Sequence, residues 1–166
     1  MKQTVYLSLG SNLGDRAGNL AAAIQRLRGL GPITAVSSFY ETEPVEVEDP
    51  QPWFLNCVVA LETELSPQQL LARTLALEQA MGRQRTGTRS ARQIDIDILL
   101  FGTAVVEMAE LTIPHPAMAG RRFVLEPLAE IVPDLRHPRT NLTVAEMLRA
   151  LPENQDAVRR FSTGVK

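Results

Sequence analysis

The stretch RQIDIDILLFG, residues 92–102, places two aspartates, Asp95 and Asp97, inside a run that otherwise reads as an apolar strand. Side chains alternate along a strand, so both carboxylates share one face, about 6.6 Å apart along the backbone, while Ile94, Ile96 and Ile98 point to the core. Aspartate is depleted in strands, and like charges on one face repel. The pair therefore reads either as a solvent-facing strand side that carries acids, or as two carboxylates whose repulsion a divalent cation relieves. Hard carboxylate oxygens suit Mg²⁺, which takes one or two carboxylates and completes its shell with water and phosphate oxygens. Two aspartates so placed could hold a pair of such ions around one polyphosphate.

The complement lies just upstream. Residues 82–92, GRQRTGTRSAR, carry Arg83, Arg85, Arg89 and Arg92 and no acid. By itself this is a solvated basic loop. Beside an acidic pair, it is also what a nucleoside polyphosphate needs, because metal ions and guanidinium groups together neutralise the phosphate chain. Glu78 falls at helical spacing from Leu71 and Leu75, at the flank of an apolar stripe. It reads as a helix-edge salt bridge or as part of the same site.

Outward from this strand the chain reads as an ordered series of elements. QTVYLSL (3–9) is a first strand, and GSNLGDR a structural turn into a helix with the stripe Leu20, Ala23, Ile24 and Leu27. ITAVSSFYETEP is a second strand, PVEVEDPQP (44–52) a loop, and FLNCVVALETEL a third strand. Ser66-Pro67-Gln68-Gln69 opens a helix that runs to about Gly82, with an N-cap serine, a proline at the first helical position and Gln at N3. The order β-α-β-β-α-β is that of the ferredoxin-like split β-α-β unit, an α+β fold with an antiparallel sheet and helices on one face. Beyond it lie extra C-terminal elements: a strand near Ala104–Glu107, the turn IPHPAMAGRR, a helical FVLEPLAEIV and a last helix near Thr143–Leu151.

Composition narrows the class. At 166 residues, with 45% hydrophobic residues and few aromatics, the chain fits one domain, residues 1–166, with an aliphatic core. A net charge of −2 argues against general affinity for nucleic acid or anionic membrane. No apolar run spans a membrane and the N-terminus has no signal-peptide pattern. Cys57 is the single cysteine, so no internal disulfide forms, and a cytoplasmic location is the simplest reading. On the third strand Phe54 and Asn56 share a face, a ring and an amide that suit a heterocycle or else a core Phe beside a structural Asn. Cys57 points the other way, into the core, with Leu55 and Val59. Trp53 caps either a pocket or the sheet edge. His115, between Pro114 and Pro116, has its backbone held extended and its side chain aimed; His137 reads as structural.

In order along the chain, GSNLGDR, SSFYETEPV, QPWFLNCVVALET, ARQIDIDILLFG and IPHPAMAGRRFVLEPLAEI resemble the 6-hydroxymethyl-7,8-dihydropterin pyrophosphokinases of folate biosynthesis, over roughly residues 4 to 138. The resemblance implies transfer of pyrophosphate from ATP, the co-substrate, to the hydroxymethyl group of the pterin, leaving AMP. It implies two Mg²⁺ ions at Asp95 and Asp97, with Arg83 and Arg92 as further catalytic residues. It places Glu78, Arg83, Arg85, Arg92, Ile98, Thr112, His115 and Arg121 at ATP, and Thr42, Pro44, Val45, Phe54, Asn56 and Phe123 at the pterin. It implies a monomer acting on small molecules. The chain departs from the family pattern in reading Arg89-Ser90-Ala91 where Trp-Gly-Pro is common, and Glu46 where glycine commonly follows EPV. Two rival readings stay open at this level. One is a metal-dependent nucleotidyl transferase or cyclase on the same scaffold. The other is an RNA-recognition module, which needs exposed aromatics on two central strands.

Overall fold

The computed structural model describes residues 2–42, 53–82, 93–152 and 158–161. In chain order these form β1 (Gln3–Ser11), α1 (Arg16–Leu27), β2 (Ile33–Val36), β3 (Tyr40–Thr42), β4 (Phe54–Thr63), α2 (Pro67–Ala80), β5 (Asp95–Phe101), β6 (Val106–Glu107), β7 (Thr112–Ile113), α3 (Arg122–Ile131), α4 (Val144–Arg149) and β8 (Val158–Arg160). The main sheet runs β5-β1-β4-β3-β8, with β2 also on β4, and all its pairs are antiparallel. Reduced to the split unit, the fourth strand lies beside the first, the first beside the third and the third beside the second, as that fold requires.

Several local signals act as read. The stripe Leu20, Ala23, Ile24 and Leu27 is the buried face of α1. Ser66 Oγ accepts from the Gln69 amide at 3.2 Å while Gln69 Oε1 accepts from the Ser66 amide at 2.8 Å, a reciprocal cap that starts α2. Thr143 and Glu146 repeat the device on α4.

Three expectations need correction. The second strand is two, β2 and β3. At the break the Ser37 hydroxyl accepts from the Val58 amide at 2.9 Å, so a side chain replaces one rung of the backbone ladder. Gly10 and Ser11 are the end of β1 rather than part of the turn. The stripe of α2 is Leu70, Thr74, Leu77 and Glu78, one position round from the one read through Leu71 and Leu75, so Glu78 faces inward rather than lying at the helix edge. The split unit's own helices lie on one face, as expected, and the C-terminal helices cover the other. On one face α1 and α2 pack over Val5, Leu7, Leu9, Leu55, Cys57, Val59 and the isoleucines of β5. On the other, Val124, Leu125 and Leu128 of α3 and Val144 and Met147 of α4 pack over Tyr6, Val58, Ala60, Leu99 and Leu100.

The second face is apolar at one end only. Between β1 and β5 the register steps from Tyr6↔Leu100 to Leu7↔Ile98, leaving Leu99 as the extra residue of a bulge. The bulge turns both Leu99 and Leu100 toward α3 and α4. Upstream of it, the same face carries Asp97 opposite Ser8, and Asp95 opposite Gly10. The C-terminal helices thus roof one end of this face, and the other end is polar.

Candidate active site

That polar end is organised by strand register. Asp95 lies opposite Gly10, Gly10 opposite Asn56, Asn56 opposite Tyr40 and Tyr40 opposite Arg160, in one row across five strands. Residues opposite one another share a face, so the half-buried aspartates of β5 and the amide of Asn56 on β4 look out on the same side. They are two strand spacings apart, about 10 Å. Asn56 is buried, and its Nδ2 donates to Thr42 Oγ1 at 2.7 Å, which fixes the amide's orientation. Phe54, opposite Thr42, stands half-buried beside it. Cys57, on the reverse face, is fully buried and its thiol is pushed up to about 12 by burial, so it is inert core, as read.

Gly10 is the site residue that the sequence reading passed over as part of a turn. A Cβ there would sit 2.7 Å from Asn56 Oδ1 and 3.6 Å from Phe54 Cδ1. Glycine at this point of β1 is what lets the Asn56 amide stand where it does, while the Phe54 ring would be in ordinary contact. Gly10→Ala is expected to displace the Asn56 amide. It should cost about 1–3 kcal/mol of stability as an overpacked site, read from a denaturant melt, and weaken any ligand held by Asn56 by about tenfold.

The outer edge of β5 is closed by two of the predicted nucleotide residues. Glu78 is 1% exposed, and its Oε2 accepts from the Ile96 amide, the residue between the two aspartates, at 2.6 Å. A little further along, the His115 amide donates to Leu99 O at 2.9 Å. His115 Nδ1 accepts from the Ala117 amide at 3.1 Å, so in the neutral ring the proton sits on Nε2, a hydrogen-bond donor. Burial holds the His115 pKa below the ordinary imidazole value. The Arg121 cation adds in the same direction, and Asp95 pulls against both. Arg121 in turn lies with its guanidinium carbon 5.4 Å from the centre of the Phe123 ring, at the start of α3.

A folded-state pKa below the unfolded value means the fold prefers neutral imidazole. His137, whose Nδ1 accepts from the Arg139 and Thr140 amides, is depressed by burial and by Arg139 as well. The contribution of both rings is complete above about pH 6.5 and is lost as pH falls below that toward their folded values. Urea midpoints measured down from pH 7.5 should therefore fall once the pH passes below this point, and His137→Asn should flatten the fall.

The other predicted residues distribute as follows. Ile98 is buried in the core on β5, so its side chain serves packing. Thr112 is exposed on β7, the strand paired with β6. Arg83, Arg85, Arg92, Pro44 and Val45 lie outside the described residues, as do Glu46 and Arg89. Among the described residues no three His, Cys, Asp or Glu side chains gather as a metal cage. The donor set at the site is two hard carboxylates on one face. That suits an ion completed by water and phosphate oxygens rather than by an all-protein shell.

The model of one family, 7,8-dihydro-6-hydroxymethylpterin-pyrophosphokinase (HPPK), matches residues 6–133. The chain belongs to this family. HPPK members make up one step of folate biosynthesis as pyrophosphokinases. A relative from Porphyromonas gingivalis, 2-amino-4-hydroxy-6-hydroxymethyldihydropteridine pyrophosphokinase, is 50% identical over 139 residues, covering 81% of this chain and 93% of its own length. The folic acid synthesis protein fol1 of Schizosaccharomyces pombe is 42% identical over 160 residues. That match covers 95% of this chain and only 21% of the yeast protein, so the chain corresponds to about a fifth of it. The HPPK-DHPS of Plasmodium falciparum shares the fold, with a TM-score of 0.72 over 90% of this chain and 45% of that one, at 17% identity.

Proposed function

We propose that this HPPK family member transfers the β,γ-pyrophosphoryl group of ATP to the hydroxymethyl oxygen of 6-hydroxymethyl-7,8-dihydropterin, releasing AMP. The observation that carries the reading is the cross-sheet row Asp95–Gly10–Asn56. It sets an acidic pair suited to a metal-bound polyphosphate two strands away from an oriented amide suited to a heterocycle edge. The span of about 10 Å is on the scale of a bicyclic ring with a short arm.

In this reading Asp95 and Asp97 would hold Mg²⁺, two ions by family resemblance, and the metal would supply neutralisation of phosphate charge. Arg83, Arg85, Arg92 and Arg121 spread over the phosphate oxygens, and His115 donates through Nε2. Glu78 holds Ile96, and with it the spacing of the two aspartates. The backbone of Ile98 and the Thr112 hydroxyl complete the ATP side. The pterin stacks between Phe54 and Phe123, with Asn56 reading its edge against Thr42, and Pro44 and Val45 beside it. The hydroxyl oxygen bonds to the β-phosphorus as the bond from that phosphorus to the α,β-bridging oxygen breaks. AMP leaves with the bridging oxygen, and the hydroxyl proton passes to solvent. Positioning supplies most of the acceleration in such a transfer.

The RNA-module alternative loses support because α3 and α4 cover much of the sheet face it would need. The same reading makes residues 1–166 a single domain, acting as a cytoplasmic monomer on small molecules and on neither nucleic acid nor membrane; among the described residues no helix is long and apolar enough to cross a membrane. The test is to incubate the protein with ATP, Mg²⁺ and the reduced pterin, singly omitted. AMP is expected only when all three are present. Release of pyrophosphate instead would assign a nucleotidyl transfer.

A further inference from the structure

The strand β8 was not legible in the sequence, and it brings Arg159 to the back of the sheet behind Phe54. It pairs with β3 so that Val158 lies opposite Thr42 and Arg159 opposite Glu41. Glu41 points away from the pterin side, toward α1. Its carboxylate is shared: Arg16 Nη2 reaches Oε2 at 2.9 Å and Arg159 Nε reaches Oε1 at 3.1 Å. Burial alone would raise the Glu41 pKa, and the two guanidiniums outweigh it and hold it below the ordinary carboxylate value.

Both arginines also take hold of Trp53. Arg16 Nη1 donates to Trp53 O at 2.7 Å, and the Arg159 guanidinium carbon lies 4.6 Å from the centre of the Trp53 ring. Trp53 immediately precedes Phe54, the first residue of β4. The strand is anchored in its turn: the Phe161 amide donates to Phe39 O at 2.7 Å, and Arg16 lies over the Phe161 ring at 5.7 Å. We propose that Arg159, delivered by the C-terminal strand, is a positioning residue for the pterin substrate: with Arg16 and Glu41 it clamps Trp53 from behind and so sets the Phe54 end of β4 against Asn56 and Thr42. The inference rests on the assignment of Phe54 and Asn56 to the pterin. Arg159 touches no substrate in this arrangement and lies on the face opposite the ATP groups, so its loss should separate the two substrates.

Trp53 is the only tryptophan, so its fluorescence reports on the clamp without any turnover. Arg159→Ala is expected to raise the quenching of Trp53 by acrylamide. It should also raise the KM for the pterin by about three- to tenfold, the combined worth of one exposed cation–π contact and one ion pair. The KM for ATP and kcat should stay unchanged. Arg159→Lys, which keeps the charge without the planar fork, should lie between. Unchanged quenching, an unchanged pterin KM, or an equal rise in both KM values would each overturn the inference. If Arg159→Ala fails to fold, Arg159→Lys decides by the same criteria. A wild-type protein that makes no AMP from ATP and the pterin would instead overturn the functional reading, and the quenching would still show whether Arg159 holds the ring.

Discussion

Asp97→Ala is expected to abolish AMP formation, by at least about a thousandfold, or roughly 4 kcal/mol of transition-state stabilisation. The carboxylate lies half-buried on the site face of β5, opposite Ser8, while its neighbours Ile96 and Ile98 hold the strand in the core from the other side. Removing it leaves the packing of Ile96 and Ile98 in place, so the variant should still fold and show one cooperative thermal melt. Asp97→Asn, which keeps the shape and removes the charge, should be as inactive. Product chromatography with a parallel thermal melt separates the two effects. Normal turnover by Asp97→Ala would remove the metal assignment, whatever the fate of the rest of the site.

Glu78→Ala should do the opposite, harming the fold as well as the reaction. Glu78 is a carboxylate at 1% exposure that accepts the Ile96 amide at 2.6 Å. Its removal leaves a buried N–H without that acceptor, at a cost of about 2–3 kcal/mol, the upper part of the range for a buried group left unpaired. For a chain of this size that is a fall of about 4–12 °C in melting temperature. Because Ile96 stands between the aspartates, their spacing should loosen and turnover should fall with stability. Glu78→Gln keeps an acceptor oxygen on the same stem and should recover most of the melting temperature. A melt of Glu78→Ala that matched the parent would mean that the bond to Ile96 carries no weight.

The two aspartates and the split β-α-β order were legible because they rest on local rules: alternation along a strand, capping at Ser66, a helical stripe on α1. The aspartates' company was legible only in part. Asn56 and Phe54 could be placed on one face from spacing, but not in line with Asp95, since register across three strands is a long-range property that alternation does not encode. Gly10 was passed over because a glycine beside Ser-Asn reads as a turn, and its reason, the closeness of Asn56, exists only once β1 and β4 are paired. Glu78 was misread as a helix-edge group because a stripe drawn through Leu71 and Leu75 is one position off, and a single-position error on a helix moves a residue by about 100°. The second layer of helices was missed as a layer: α3 and α4 were foreseen as segments, but their burial depends on a bulge at Leu99 that no residue pattern announces. Trp53 had no assignment until β8, three residues long, supplied Arg159.

The lateral rim of the sheet at β5 carries one more implication. An unprotected border strand offers its backbone as a template on which a second chain can grow, the usual route to unwanted polymers. Here the Ile96 N–H is occupied by Glu78 and the Leu99 carbonyl by the His115 amide. Glu78 and His115, which the proposed function places at ATP, therefore also cap the border main chain against pairing with a second copy.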